Sequence, residues 1–146
     1  MRITHVSALA AVLFALGTAS TATAAAEPNP ADSPRQAIAR AYLDALVSHD
    51  ASAVPFAPDA TRVEVGLQTG YSGPQLTADL ENGLQYRVIQ GIRDLTMSES
   101  GDTVTTHYLL DTGVAGIRLT TVEITETFVI PVDSIHTIEA TITPVL

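Results

Sequence analysis

Four β-type runs joined by short turns make up the second half of the chain and leave it few ways to fold. Leu84–Met97, Thr103–Leu110, Ile117–Ile130 and Ser134–Ile142 are rich in Val, Ile, Thr and aromatic residues, the side chains that suit a pleated, half-buried surface. Ser100-Gly101-Asp102 fits a hairpin turn, Gly113 and Gly116 mark a looser one, and Pro131-Val132-Asp133 separates the last two runs. Consecutive strands with such short connections favour an antiparallel sheet.

The elements before this meander are mainly helical. Ser33-Pro34-Arg35-Gln36 reads as a helix start, with Ser33 as cap, Pro34 in the first turn and Gln36 at the capping-box position. Ile38, Ala41, Tyr42, Ala45 and Leu46 follow at helical spacing, and the helix ends near Ser48-His49-Asp50. Ala51–Phe56 allows one short turn before Pro55 and Pro58. Asp59–Leu67 reads as a strand centred on Val63 and Val65, followed by a loop at Gly66, Gly70 and Gly73-Pro74. Gln75–Glu81 reads as a second short helix stopped by Asn82-Gly83. Helices first and a meander afterwards predict a single α+β domain over 33–146.

Residues 1–26 read as a secretory signal peptide rather than as part of this domain. Arg2 and His5 precede an apolar stretch from Val6 to Gly17, and small residues run from Thr18 to Ala26. Ala22-Thr23-Ala24 and Ala24-Ala25-Ala26 are the candidate cleavage sites. The apolar stretch is shorter than the roughly 20 residues a membrane span needs. The expectation is therefore a secreted protein with no membrane span in the mature chain, led by a flexible segment at 27–32. After removal of 1–26, six arginines stand against sixteen acidic groups, a net charge of −10. That charge excludes nucleic acid as a natural partner and disfavours anionic membranes. The chain has no cysteine, so a disulfide framework, a thiolate metal site and a cysteine nucleophile are excluded. Its arginine-only basic set and its wealth of Ala and Thr fit the codon usage of a GC-rich bacterial genome.

Glu126 is the sharpest chemical signal. Alternation along Ile117–Ile130 puts Val122, Ile124, Glu126, Phe128 and Ile130 on one face and Glu123, Thr125 and Thr127 on the other. A carboxyl thus interrupts an apolar face, where burial would raise its pKa and suit it to acid–base work. A solvated strand end, an arginine partner or a register-shifting bulge would explain the same residue without chemistry. By the same alternation His136 shares a face with Ile138, Ala140 and Ile142; it is either a titrating pocket residue or a satisfied, partly buried histidine. Glu64 falls with Arg62 on the face opposite Val63 and Val65, which reads most simply as an exposed ion pair. Tyr42 lies on the apolar helix face, and His107 reads as a surface residue. The chain has no zinc-protease, P-loop, nucleophile-elbow or dinucleotide motif, and no cofactor or metal is expected.

The segment Ala39-Arg40-Ala41-Tyr42-Leu43-Asp44-Ala45-Leu46, then His49-Asp50, then Ala57-Pro58-Asp59-Ala60-Thr61 resembles the opening of the nuclear transport factor 2-like superfamily, which includes SnoaL-like cyclases and ketosteroid isomerases. Arg62–Gly66 also resembles a secreted, uncharacterised SnoaL-like branch, although Val63-Glu64-Val65-Gly66 departs at two positions from the threonine-glutamate-asparagine-glycine run often found there. The resemblance implies a cone-shaped, cystatin-like fold, with N-terminal helices packed in the concave face of a curved antiparallel sheet. It also implies, by position in the isomerases, that Tyr42 donates to a substrate oxyanion, that Glu64 is the carboxylate base, and that a second oxyanion donor falls near Glu126.

Three expectations follow. The leading one is an exported domain whose cone binds a small apolar molecule, with Val122, Ile124, Phe128 and His136 lining the pocket. The second is an isomerase, cyclase or hydrolase using Glu64, Tyr42 and Glu126. The third is a non-catalytic homodimer or protein-interaction module, for which the polar face of Glu123, Thr125 and Thr127 offers little apolar area.

Overall fold

The computed structural model describes Asn29 and residues 31–146. The expected signal peptide at 1–26 lies outside the described residues. Helix α1 spans Pro34–Ser48 and starts as the sequence predicts. The Ser33 hydroxyl accepts from the Gln36 backbone N–H, and the Gln36 side chain accepts from the Ser33 N–H, so two otherwise unpaired donors are satisfied. The helix stops at His49, which takes a left-handed conformation. Its inner face buries Ala39, Tyr42, Leu43, Ala45 and Leu46.

Strand β1 (Phe56–Glu64) turns directly into β2 (Leu67–Gly70), and helix α2 (Gly73–Asn82) follows. A single 3₁₀ turn at Leu84–Tyr86 leads into β3 (Ile89–Ser100), β4 (Thr103–Val114), β5 (Ile117–Val129) and β6 (Ile135–Pro144). The six strands form one sheet in the order β2-β1-β6-β5-β4-β3. All pairings are antiparallel except β1 with β6, which is parallel. The sheet is therefore mixed rather than purely antiparallel. The parallel pair arises because α2 and the meander carry the chain around before β6 returns beside β1.

Register irregularities between Arg93 and Thr96, between Ile89 and Gly91, and between Thr112 and Gly113 bend the long strands. Asp94, inside the first of these, has φ +56°. The curved sheet wraps around α1, and Tyr42, Leu43, Leu46, Tyr108, Phe128 and Ile138 pack between them as the main core. A smaller cluster of Ala57, Ala60 and Leu76 seats α2 on β1.

Three local expectations need correction. Asp59–Leu67 is not one strand followed by a loop but the β1–β2 hairpin, turned at Val65 (φ +51°) and Gly66 (φ +78°). A two-residue loop with both φ values positive matches the twist of its strands, but a β-branched residue in its first position gives no sequence warning. Ala115-Gly116 makes the same kind of turn between β4 and β5, so that connection is tight rather than loose. Leu84–Tyr86 is helical rather than the start of a strand.

Candidate functional site

Glu126 faces the interior, as its place in β5 predicts. Ile124, Glu126, Phe128 and Ile130 are all buried, and Glu126 is only 3% exposed. The neighbouring strands supply its surroundings: Thr106 of β4 and Ala140 of β6 stand opposite it in register. The Thr106 hydroxyl donates to the Glu126 backbone carbonyl at 3.2 Å, and the Tyr108 hydroxyl donates to Glu126 Oε2 at 2.9 Å. Burial pushes the Glu126 carboxyl up to about 8, and the charge of Glu64 adds to the rise. Hydrogen bonds from Tyr108 and Tyr42 and the positive charge of Arg62 oppose it. At neutral pH the group is therefore mostly a neutral acid able to donate.

Tyr42 reaches the same place from α1. Its ring packs edge-on against Phe128 at 5.2 Å and Phe56 at 6.2 Å between centroids, which fixes where the hydroxyl points. Burial raises the phenol pKa of Tyr42, Tyr86 and Tyr108, so each remains an O–H donor through the physiological range.

Arg62 of β1 is the other centre of the site, at 1% exposed. Its Nε donates to Thr69 Oγ1 of β2 at 3.0 Å. Its Nη2 lies 3.4 Å from both the Thr69 carbonyl and Asp79 Oδ2 of α2. Glu64 Oε2 is 3.6 Å from Nε. The guanidinium sits over the Tyr86 ring, 5.5 Å from its centroid, a favourable cation–π placement. Two buried polar atoms here have no hydrogen-bond partner: Arg62 Nη1 and the Tyr86 hydroxyl. A buried donor left unpaired costs about 1–3 kcal/mol, and Tyr42 is the polar neighbour that acts on the same guanidinium, by charge and by a side-chain hydrogen bond.

A separate open groove of about 580 Å³ runs between α1 and β3. Leu43, Val47, Ile92 and Leu95 line it, with Asp44 and Arg93 among its polar residues. Among the described residues, no three His, Asp or Glu side chains are grouped to hold a metal ion, and no helix is long and apolar enough to cross a membrane.

A family model for a domain of unknown function, DUF8021, matches residues 30–142. The chain belongs to the DUF8021 family. No curated protein matches it in sequence. In structure the DUF8021 chain is similar to an epoxide hydrolase of the LEH-like kind from M. tuberculosis, with TM-score 0.64 and 15% identity over 75% of this chain and 82% of that one. It is similar to a hypothetical protein with a ketosteroid isomerase-like fold from Catenulispora acidiphila, bound to trimethylamine (TM-score 0.57, 16% identity, 70% and 82% covered). It is also similar to an NTF2-like protein of unknown function from Cytophaga hutchinsonii (TM-score 0.56, 14% identity, 75% and 90% covered). The fold is the NTF2-like, SnoaL-like α+β cone that the opening segment of the sequence implied.

Within the DUF8021 domain, Tyr42 and Glu126 lie together in the interior. Glu64, with its side chain 28% exposed, sits at the edge of the same cluster through Arg62. The Arg62–Glu64 pair is thus not a surface pair, because its arginine is buried. Ile124 and Phe128 are buried and Val122 is half-buried. His136 is exposed and does not line the interior. Counting back by twos from Ala140 and Ile138 fails there, because the β1–β6 register shifts between Phe56 and Thr61, opposite Ile135 and Thr137. Ile135 takes the inner position instead.

Sequence reasoning missed Arg62, Asp79, Tyr86 and Tyr108 as site residues. A signal existed for Arg62, which alternates with the small, buried Ala60 on one face of β1. Tyr108 likewise alternates with buried Val104, Thr106 and Leu110. Tyr86 gave none, since the 3₁₀ turn that carries it reads as strand.

Proposed function

We propose that this DUF8021 protein is exported and binds a small, largely apolar molecule inside its cone. Aromatic and aliphatic side chains hold the body of the ligand, and the Arg62–Tyr86–Glu126 end grips one polar group. The observation that carries this reading is the pair of buried, unpartnered donors, Arg62 Nη1 and the Tyr86 hydroxyl, beside a carboxyl that burial keeps neutral. Apolar walls with a few convergent polar groups are the usual make-up of a small-molecule site. The bound trimethylamine in the C. acidiphila relative is in keeping with it. Export rests on the leader at 1–26.

The test is native mass spectrometry of the protein recovered from culture medium, followed by denaturation of the same sample. The expected result is a chain lacking residues 1–26 that carries a small adduct released on denaturation. An unprocessed chain held in the cytoplasm would overturn export. A clean apo mass, together with no chemical-shift change on adding small aromatic compounds, would overturn binding.

Acid–base catalysis is the second reading, favoured by the closeness of the neutral Glu126 carboxyl to the Glu64 carboxylate. Carboxyl groups held in different protonation states in one site supply a donor and an acceptor for proton transfer. In such a step Glu64 would take a proton or activate water, while Glu126 and Tyr42 donate to the oxygen that gains charge. Glu126→Gln would then keep the adduct and lose turnover.

A further inference from the structure

The β4–β5 hairpin ends in an apolar tip that the described residues leave open to solvent. Val114, Ile117 and Leu119 are 60%, 66% and 69% exposed, and the turn between β4 and β5, Ala115-Gly116, adds no polar side chain. Val88 and Val145 are exposed beside it. The Gly113 N–H donates to the Val88 carbonyl at 2.7 Å, and the Val145 N–H to the Thr121 carbonyl at 3.3 Å. Large aliphatic side chains gathered on one projection mark a surface that meets another apolar one. The charged residue of the tip is Arg118. Its Nη1 stands 3.7 Å from Asp111 Oδ1, a carboxylate that Arg93 Nε already holds at 3.0 Å through Oδ2.

The groove of about 580 Å³ between α1 and β3 has the complementary character. Leu43, Val47, Ile92 and Leu95 make it apolar, and its two arginines are already engaged. Asp32 holds Arg40, and Asp111 and Asp94 hold Arg93. Asp44, on the same groove, has no side-chain hydrogen bond or ion pair among the described residues. A basic apolar tip and an apolar groove with a free carboxylate thus lie on one chain. They are neighbours, because Gly91 of the groove pairs with Asp111 of β4, three residues before Val114. The β4–β5 ladder runs out to its last pair, Val114 with Ile117, so the tip is held within the sheet and does not turn back across β3 into its own groove. A second copy related by a two-fold axis can receive it and offer its own tip in return. We propose that two copies of this chain pair reciprocally, the Val114–Leu119 tip of each seated in the α1–β3 groove of the other, with Arg118 facing Asp44.

Sedimentation velocity of the purified protein over a range of micromolar concentrations tests this. The expected species is a closed dimer that weakens as salt is added. Ile117→Ser together with Leu119→Ser changes only exposed side chains, so the circular dichroism spectrum is expected to stay as it is while the dimer weakens at least about tenfold. Arg118→Glu and Asp44→Arg are each expected to weaken it several-fold, and the two combined to restore most of the loss, because the pair then meets with its charges exchanged. A monomer at every concentration overturns the proposal. A dimer that the tip variant leaves intact overturns it in favour of another face. Assemblies that keep growing with concentration overturn the closed pair, since tip and groove would then meet head to tail. A combined variant no better than either single one overturns the facing of Arg118 with Asp44.

Discussion

The hydroxyl of Tyr108 on β4 donates to Oε2 of Glu126 on the adjacent strand at 2.9 Å, and both side chains are buried among apolar neighbours. The bond stabilises the ionised carboxyl more than the neutral one, and it is the largest influence opposing the burial that raises the Glu126 pKa.

Tyr108→Phe therefore moves the Glu126 pKa further up, above the value of about 8 in the native protein. The measurement is a carboxyl-carbon NMR titration of both proteins. Loss of one buried hydrogen bond also lowers stability, by about 1–3 kcal/mol. A Glu126 pKa that stayed in place or fell would show that another donor replaces the phenol.

Stability of the whole domain should carry the mark of the same carboxyl. The Glu126 pKa is raised in the fold, from about 4.5 to about 8, so the native state holds its proton more tightly than the unfolded chain does. Its contribution is complete below about pH 4.5 and is lost as pH rises toward 8. Each pH unit inside that window costs up to about 1.4 kcal/mol from this group alone. Glu126→Gln keeps the shape and cannot ionise, so its melting temperature should fall less between pH 5 and pH 8 than that of the native protein. Parallel melting curves for the two would remove Glu126 as the source.

Glu126 could be read from the sequence because β5 is long and inwardly regular near its end: Ile124, Glu126, Phe128 and Ile130 keep strict alternation. Where strands are interrupted, the same rule misleads. His136 sits beside a register shift and turns outward. Arg62 lies in a strand whose Pro58 segment leaves the β1–β6 ladder and whose hairpin turn begins with a valine, so neither its face nor its partners could be followed. Its partners Thr69 and Asp79 come from β2 and α2, and Tyr86 from a 3₁₀ turn. That convergence is tertiary and leaves no periodic trace. The cone itself was legible through the order of its elements and the opening segment around Tyr42, whereas the parallel β1–β6 pairing was not.

Close packing ties the β2 strand to the arginine. A Cβ on Gly70 would stand 2.5 Å from Leu76 Cδ2 of α2 and 2.8 Å from Arg62 Cβ. Gly70→Ala must turn the Leu76 side chain aside and part β2 from β1 at Arg62, whose Nε is held by Thr69 of β2. The expected cost is about 1–3 kcal/mol in chemical denaturation, typical of overpacking. Gly91→Ala, where a Cβ meets nothing within 4 Å, is expected to cost well under that.

The outer face offers the contrast. His107 Nε2 and Glu123 Oε1 are 2.5 Å apart, but both side chains are nearly half exposed. Glu123→Gln should change stability by less than about 1 kcal/mol and leave the bound adduct in place. A loss of binding in this variant would mean that the outer face of the sheet, and not the cone, takes the ligand.

Removing the arginine tests whether its role is charge or bulk. Arg62→Met keeps much of the volume over the Tyr86 ring but leaves the Glu64 and Asp79 carboxylates without their shared cation. Breaking a buried ion pair from one side costs about 3–5 kcal/mol, and the Glu126 pKa should rise as a nearby positive charge disappears. Arg62→Lys should recover only part of the loss, because one ammonium nitrogen cannot stand at both the Nε position that faces Thr69 and the Nη2 position that faces Asp79. The decisive variant adds Glu64→Gln and Asp79→Asn to Arg62→Met. If the arginine acts by charge, neutralising its partners restores much of the lost stability, and the non-additivity measures their coupling. If it acts by filling space against Tyr86, the triple variant is no better than Arg62→Met, and the polar end of the cone is a packing solution rather than an electrostatic one.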